Sequence, residues 1–263
     1  MEFTDSQFER YARHLILDEV GEEGQAKLLQ AKVLVVGAGG LGAPMLLYLA
    51  AAGVGTIGVI DDDTVELSNL QRQVIHMTDQ VGRPKVESAV GLLARLNPDV
   101  KVIPYQQRIT ADNAADIIGG FDLVADGSDN FTTRFLLNDA CYLAGKTLVS
   151  AALLRFDAQV SVFKAHLGPP HPCYRCLFPE RPPDDLIPRC EQAGILGAIA
   201  GMVGSLQATE VLKEIMGIGE SLSGHLLVYD GLDTMFRKIK TRRDPACALC
   251  GPQASIKDLR LSA

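Results

Sequence analysis

Three glycines after a short apolar run form the part of the sequence best suited to hold a phosphate. Gly37, Gly39 and Gly42 have the spacing G-x-G-x-x-G and follow the apolar run Val33–Val36. Glycine lets the backbone approach a phosphate closely, and the first turn of a helix offers N–H groups that have no intrahelical partner. The pattern predicts a dinucleotide or mononucleotide site between a strand and a helix. The alternative is that the glycines serve only close packing of the helix on the strand.

An acid extends this pattern. A second apolar run, Thr56–Ile60, ends at Asp61, about twenty residues beyond the glycines, as in nucleotide-binding folds. There its carboxylate can accept hydrogen bonds from ribose hydroxyls. Between the two runs, Leu41–Ala52 is predicted to be an apolar helix with Pro44 in its first turn, where a missing N–H costs little. Strand, turn, helix, strand and acid together strengthen the prediction of a nucleotide site.

Polar side chains that could contact phosphates follow Asp61. Asn69 and Arg72 are three residues apart, so a helical turn would place them on one face. Lys85 follows Pro84 in the first turn of a predicted helix, where a cation is electrostatically disfavoured. This position indicates that an anion comes near Lys85. The alternative is an ordinary exposed lysine.

A second acid follows a later strand. The predicted strand Phe121–Ala125 leads into a polar run that contains Asp129, just before a predicted helix from Phe131 to Ala144. Asp129 is either the N-cap of that helix or a metal-bound catalytic carboxylate, or both. The carboxyl ends of strands are where ligands bind in open α/β sheets, so this acid repeats the geometry of Asp61.

Four cysteines have the spacing of a zinc site. Cys173 and Cys176 form one C-x-x-C pair, and Cys247 and Cys250 form another. Two such pairs predict a tetrahedral four-cysteine zinc site that staples a Pro-rich crossover loop to the C-terminal segment. Four thiolates leave no open position on the metal, so this zinc is expected to be structural. A redox dithiol or four unrelated thiols are the alternatives.

Two further cysteines and an N-terminal arginine are harder to assign. Cys141 falls within a helical pattern and is expected to be a small buried hydrophobe. Cys190 follows Arg189 and is either a nucleophile that accepts an acyl group or a persulfide, or a bystander thiol in a loop. Arg13 lies on a predicted helix over Thr4–Leu17, where an arginine is ordinarily solvated.

Composition and hydropathy limit the classes of fold and of binding partner that are possible. The chain has 263 residues, is 47% hydrophobic and has a net charge of −7, which argues against a primary nucleic-acid binder. The sequence shows no signal peptide and no membrane span, so the cytoplasm is the expected compartment.

Early strands separated by helices predict a parallel sheet, and the short connection between the later strands Leu148–Leu153 and Ala158–Lys164 predicts antiparallel pairing. Gly21 and Gly24 are expected to interrupt the chain before a short helix.

Taken together, the motifs resemble the ThiF/MoeB/HesA family, bacterial relatives of the ubiquitin-activating E1 enzymes. The resemblance rests on GAGGLG, DDDTVELSNLQRQ, GRPKVES, DGSDN and the two C-x-x-C pairs, in that order over nearly the whole chain. It implies a Rossmann-like, doubly wound α/β sheet that is parallel in the N-terminal half and continues into antiparallel strands. It further implies a homodimer that uses Mg-ATP to adenylate the C-terminal glycine of a ubiquitin-fold sulfur carrier protein.

The resemblance also implies roles for single residues. Asp61 resembles the acid that holds the ribose hydroxyls, and Asp129 the carboxylate that holds Mg²⁺. Arg13 resembles an arginine that reaches across the dimer to the partner's ATP. Cys190 aligns with a loop cysteine that links covalently to the carrier in some members and is dispensable in others. The implied catalytic set is Arg13, Arg72, Lys85, Asp129 and Cys190, and the implied nucleotide-binding set is Gly37, Gly39, Gly40, Gly42, Asp61, Asn69, Arg72, Lys85, Asp129 and Asn130.

The pathway and the domain plan follow from the same resemblance. The overall pattern is most similar to the MoeB branch, which implies a MoaD-like carrier and molybdopterin synthesis; a ThiS-like carrier of the thiamin pathway is the alternative. No room remains after Cys250 for a sulfurtransferase domain, so sulfur is expected to come from a separate protein. We expect one adenylation domain over 1–263, with N-terminal helices at 1–30, a nucleotide-binding half at 31–150, and a half at 151–263 that holds the carrier, the crossover loop and the zinc.

Two other functions compete with this interpretation. A G-x-G-x-x-G turn with an acid also serves NAD-dependent oxidoreductases, but that function would leave Arg72 and Lys85 without a task. An inactive, zinc-braced scaffold that docks a ubiquitin-fold partner would not need the phosphate-contacting residues together.

Overall fold

A computed structural model describes residues 2–182 and 193–261, which form an eight-stranded sheet with helices on both faces. The strands are β1 (Lys32–Val36), β2 (Thr56–Ile60), β3 (Lys101–Tyr105), β4 (Leu123–Asp126), β5 (Thr147–Leu154), β6 (Asp157–Phe163), β7 (His225–Asp230) and β8 (Met235–Lys240). Their order in the sheet is β3-β2-β1-β4-β5-β6-β7-β8. Strands β1 to β5 pair in parallel, and β6, β7 and β8 continue the sheet in antiparallel pairing. The predicted doubly wound sheet with an antiparallel extension is therefore confirmed.

The helices cover both faces of this sheet. Within the described residues they are α1 (Asp5–Leu15), α2 (Gly21–Gln30), α3 (Gly42–Ala51), α4 (Lys85–Leu96), α5 (Ala114–Gly119), α6 (Phe131–Leu143), α7 (Tyr174–Leu177) and α8 (Gly197–Met216). One apolar cluster joins α3, α4 and α8 to the sheet, and a second joins α5 and α6 to its other face. Of the described helices, none has the length and apolar character needed to cross a membrane.

The central strand explains why the apolar run after Lys32 is continuous. The side chains of Val33, Leu34 and Val35 are fully buried, because helices cover both faces of β1. From β1 the chain proceeds to β2 and β3 on one side, and β4 and β5 lie on the other side. The carboxyl ends of β1 and β4 therefore flank a topological switch point, where ligands bind in open α/β sheets.

Some glycines in the helices allow close packing against another segment, and others were expected to break a helix. In α8, Gly204 packs against Leu41 and Pro44, and Gly197 packs against the backbone of Gln71, so side chains there would collide with backbone. These two contacts bring α8 onto the segment that holds the glycine-rich turn. The expected break at Gly21 is confirmed, because Gly21 has a φ of +53° and begins α2, but the expected break at Gly24 is wrong, because Gly24 lies inside α2. Close packing of Gly24 against a neighbouring helix accounts for its small size.

Candidate active site

The glycine-rich turn joins β1 to α3 and contacts the loop that follows β4. Gly37 has a φ of +93°, and a Cβ there would lie 2.9 Å from the Gly127 carbonyl oxygen. A Cβ on Gly42 would overlap the Gly37 carbonyl, so packing alone requires these two glycines. Gly39 and Gly40 are half-buried and have more room, since a Cβ there would meet only side chains at 3.5 Å or beyond. They therefore form the open side of the turn, next to the N-terminus of α3.

Asp61 is bonded to this turn. Its Oδ2 accepts a hydrogen bond of 2.8 Å from the Ala38 N–H, and its Oδ1 accepts one of 2.9 Å from the Asp63 N–H. Burial raises the pKa of Asp61, while the Lys85 cation and the two backbone donors act in the opposite direction. The carboxylate is thus anchored at the carboxyl end of β2 and rigidly linked to the turn.

Arg72 lies directly against the glycine-rich turn. Its Cδ is 3.5 Å from the position that a Cβ on Gly40 would take, and its Nη1 donates to the Ser68 carbonyl at 3.1 Å. Asn69 is buried and accepts a hydrogen bond from the Glu66 N–H at 3.2 Å, so its amide shapes the short 3₁₀ turn that carries Arg72. A turn therefore joins Asn69 to Arg72, whose N–H donates to the Asn69 carbonyl at 3.1 Å, and of the two side chains Arg72 contacts the glycine-rich turn while Asn69 supports the backbone.

Lys85 is buried, and the alternative of an exposed lysine is wrong. It is the first residue of α4, and its Nζ forms an ion pair of 2.8 Å with the Asp63 carboxylate. The Asp63 side chain is 62% exposed, so this ion pair opens towards solvent. A cation is thereby held next to Asp61 in the first turn of a helix, where a nearby anion would stabilise it.

In the loop after β4, the residue that caps α6 differs from the one that the sequence predicts. Asn130 is the N-cap of α6, because its side chain accepts a hydrogen bond of 2.8 Å from the Thr133 N–H. The N-cap prediction for Asp129 is therefore wrong, although α6 begins at Phe131 as predicted. Asp129 is exposed, and within the described residues its carboxylate has no hydrogen-bond partner. It remains available to a ligand or a metal ion.

A buried network below this loop was not predicted. Asp126, at the end of β4, is fully buried and accepts hydrogen bonds from the Ser128 hydroxyl at 2.6 Å and from the Ser150 hydroxyl at 2.8 Å. The Arg134 guanidinium lies 3.5 Å from the Asp126 carboxylate and donates to the Ser128 carbonyl at 2.9 Å. Asp126 and Arg134 therefore fix the loop from which Asp129 projects.

Replacing Asp126 with asparagine is expected to lower the free energy of unfolding by about 3–5 kcal/mol, because Arg134 would be left as a buried charge without its ion pair. Denaturant titration measures this change. Asp129→Asn is the matched control: it removes an exposed acid three residues away and is expected to leave stability unchanged. Equal stability of the two variants would contradict the structural role of Asp126.

The four cysteines meet as predicted. Their Sγ atoms lie within 4.8 Å of one another, with 3.5 Å between Cys173 and Cys247 and 3.4 Å between Cys176 and Cys250. Hydrogen bonds from the neighbouring thiols lower the pKa of Cys247, which favours a thiolate there. This donor set and geometry fit a tetrahedral thiophilic ion such as zinc.

The remaining predicted residues lie away from this site or outside the described residues. Arg13 is exposed on α1, and its neighbour Tyr11 bonds to Asn97 at the C-terminal ends of α3 and α4. Since α3 has 10 residues, its two ends are about 15 Å apart, so Arg13 is far from the glycine-rich turn of its own chain. Cys141 is buried, as expected. Cys190 lies outside the described residues.

Comparison with known proteins assigns the chain to a family. The model of the ThiF family matches residues 11–249. The chain belongs to the ThiF family. A sulfur carrier protein adenylyltransferase of Thermus thermophilus is 51% identical over 261 residues, covering 98% of this chain and 96% of that protein. A SAMP-activating enzyme E1 of Haloferax volcanii is 50% identical, covering 97% of this chain and 93% of that protein.

The fold of this ThiF-family chain is shared with a solved structure. Escherichia coli MccB, in a crystal structure with MccA-N7isoASN, superposes with a TM-score of 0.81 at 22% identity, covering 94% of this chain and 76% of that one. The family resemblance seen in the sequence is therefore confirmed, and the chain is an adenylyltransferase. The structure adds residues that sequence reasoning did not single out: His76, which bonds to the turn, and Asp126 and Arg134 below the β4 loop. The network could have been predicted from the position of Asp126, which is an acid at the end of a predicted strand.

Proposed function

We propose that this ThiF-family chain uses Mg-ATP to adenylate the C-terminal glycine carboxylate of a ubiquitin-fold sulfur carrier protein and releases pyrophosphate. The observation that carries the proposal is the glycine-rich turn with cations near it and an exposed acid on the adjoining loop, whose carboxylate has no partner among the described residues. Arg72 lies on the turn, Lys85 is ion-paired with Asp63, and Asp129 is exposed on the loop that contacts Gly37. This arrangement suits a nucleoside triphosphate whose phosphates rest on the turn.

The charges have the sign that the reaction needs. A carboxylate that attacks the α-phosphorus brings two anions together, so positive groups near the turn stabilise the charge that develops. Arg72 and Lys85 supply two cations, and the N-terminus of α3 adds a partial positive charge. Asp61, anchored at the strand end, is placed to accept hydrogen bonds from the ribose hydroxyls. An oxidoreductase would use none of these cations.

The reaction itself needs little proton transfer. A carboxylate oxygen of the carrier forms a bond to the α-phosphorus, the bond from that phosphorus to the bridging oxygen breaks, and pyrophosphate leaves with the electron pair. Asp129 fits a magnesium ligand, because its carboxylate is exposed and unpartnered within the described residues. Bound Mg²⁺ supplies charge neutralisation for the phosphate oxygens.

The sheet has a small depression, with room for about one water molecule, close to the β4 loop. It lies between β5, β6 and α7, and Arg134, next to the β4 loop, forms part of its wall. Small side chains such as Ser150 and Ala152 line its floor, and Tyr174 and Phe178 close one side. We propose that the tail of the carrier crosses the surface beside this depression, with its carboxylate directed to the switch point.

The cysteine cluster is proposed to hold one structural zinc ion. Arg175, between the first two ligands, forms an ion pair of 2.7 Å with the fully buried Asp139 of α6, so the cluster is tied to the helix that follows Asp129. Four thiolates leave the metal closed to substrate. Thiolate ligands persist in a reducing compartment, so the proposal places the enzyme in the cytoplasm.

The enzyme is proposed to act as a homodimer in which Arg13 serves the partner's site. The supporting observation is that Arg13 lies at the far end of α3 from its own glycine-rich turn. Arg13→Ala and Asp129→Ala proteins are each expected to be inactive, and mixing them is expected to restore part of the activity through hybrid dimers with one intact site. Pyrophosphate exchange measures the recovery. No recovery, once native mass spectrometry shows that subunits have exchanged, would contradict a role in trans.

Molybdopterin synthesis is the proposed pathway, with sulfur delivered by a separate protein. Mass spectrometry after incubation with Mg-ATP and purified carriers tests the function, since an acyl-adenylate adds the mass of AMP less water. A MoaD-like carrier is expected to be modified, and the same carrier without its terminal glycine is the control. Modification of a ThiS-like carrier alone would move the enzyme to the thiamin pathway. Binding of NAD without any adenylate would overturn the proposal.

A further inference from the structure

A buried histidine behind the glycine-rich turn has no role in the proposed reaction. His76 is only 4% exposed, and both of its ring nitrogens have partners. Its Nε2 lies 3.0 Å from the Ala38 carbonyl oxygen, and its Nδ1 lies 2.7 Å from the Ser88 hydroxyl. The ring is therefore held at both ends between the turn and α4.

The hydrogen-bond partners of His76 indicate which ring nitrogen carries a hydrogen. The Ala38 carbonyl oxygen can only accept, so Nε2 must donate to it. Burial lowers the pKa of His76, which favours the neutral ring with its hydrogen on Nε2. The Ser88 hydroxyl lies 2.7 Å from Nδ1 and 2.7 Å from the Gln80 Oε1, and its single hydrogen can be donated to only one of them, so Ser88 sets the position of the ring rather than the protonation of Nδ1.

The hydrogen bond from His76 controls the direction of a neighbouring N–H. The Ala38 carbonyl and the Gly39 N–H belong to one planar trans peptide, in which they point in opposite directions. Drawing the carbonyl inwards towards His76 therefore turns the Gly39 N–H outwards, to the open side of the turn. Gly39 is half-buried, and its N–H has no hydrogen-bond partner within the described residues.

The Ala38–Gly39 peptide would not keep this orientation without support, because it is followed by glycines. A peptide next to Gly39 and Gly40 can rotate at low cost, because glycine tolerates backbone angles that other residues avoid. A rotated peptide would present the Ala38 carbonyl oxygen to the ligand, where it would repel a phosphate. Asp61 holds the N–H of Ala38 at 2.8 Å but leaves the next peptide free, so His76 is the group that fixes it.

We propose that His76 is a positioning residue that locks the Ala38–Gly39 peptide and so directs the Gly39 N–H at a phosphate group of the bound nucleotide. This inference rests on the proposed nucleotide binding. Loss of the His76 hydrogen bond is then expected to weaken ATP binding and to leave the affinity for the carrier protein nearly unchanged.

Two substitutions at this one position separate positioning from simple packing. The amide nitrogen of a glutamine reaches the place of the histidine Nε2, whereas that of an asparagine reaches only the place of Nδ1. His76→Gln is expected to bind Mg-ATP within about threefold of wild type, and His76→Asn at least about tenfold more weakly, as for loss of a hydrogen bond to a charged group. Isothermal titration calorimetry measures both dissociation constants, and the KM for the carrier is expected to stay unchanged.

The outcomes distinguish the inference from the function on which it rests. Equal affinity of the glutamine and asparagine variants would overturn the role of His76 alone, and failure of the wild-type protein to bind Mg-ATP would overturn the proposed function with it. A measurement on the wild-type protein avoids variants that do not fold. The ¹⁵N–¹H resonance of Gly39 is expected to shift downfield on addition of Mg-ATP, and an unchanged Gly39 resonance at saturation would also overturn the inference.

Discussion

Asp129→Ala is expected to lower the rate of pyrophosphate exchange by about 10²–10³-fold, since loss of one group that stabilises transition-state charge costs about 2.7–4 kcal/mol. Asp129 is exposed and caps no helix, so its removal is expected to leave the thermal midpoint unchanged. Exchange of labelled pyrophosphate into ATP, with the carrier present, measures the effect. The defect should appear mainly in kcat at saturating magnesium.

Asp112→Ala is the matched control for this prediction. Asp112 is also an exposed acid outside a helix, but it lies in the segment before α5, apart from the loop after β4. We expect full exchange activity in the control. Unchanged exchange in Asp129→Ala, or an equal loss in the control, would rule out the metal-binding role of Asp129.

Cys247→Ser is expected to remove the zinc ion and to lower the thermal midpoint by at least about 10 °C. The proposed metal would join segments 74 residues apart in sequence, between Cys173 and Cys247, and a structural zinc site contributes directly to folding free energy. A loss of about 4 kcal/mol corresponds to a shift of this size in a domain of about 250 residues. Calorimetry and metal analysis of the purified protein give the two readouts.

Cys141→Ala provides the comparison. Cys141 is buried in the apolar cluster around α6 and is not part of the cysteine cluster, so this variant should keep one zinc ion per chain. Its small cavity is expected to cost less stability than loss of the metal. A Cys247→Ser protein that is metal-free, stable and fully active would show that the cluster does not serve the fold.

The sequence predicts the framework of the site because that framework rests on local rules. Glycine spacing, an apolar strand and an acid about twenty residues later determine one strand–helix–strand unit, and the structure shows Asp61 bonded to the turn as such a unit requires. The meeting of the cysteines was likewise predictable, because four thiols at C-x-x-C spacing have few other stable uses.

Other features depend on contacts between distant segments, which spacing does not reveal. The bond from His76 to Ala38 spans 38 positions, and a histidine between Ile75 and Met77 gives no sign of the distant segment that it contacts. The helix α6 begins at Phe131 as predicted, but its N-cap is Asn130 rather than Asp129, because the Asn130 side chain turns back to accept from the Thr133 N–H. Gly24 lies inside α2 although glycine is a poor helix former, and the side chains of Val20 and Met216 lie close to the position that a Cβ would take there.

The account depends on a nucleotide whose phosphates rest on the glycine-rich turn between two cations and an acid. A crystal structure of the protein with Mg-ATP tests this claim most directly. We predict the triphosphate on the N-terminus of α3, within reach of Arg72 and Lys85, with the metal ion at Asp129. A triphosphate bound away from these three side chains would contradict the account.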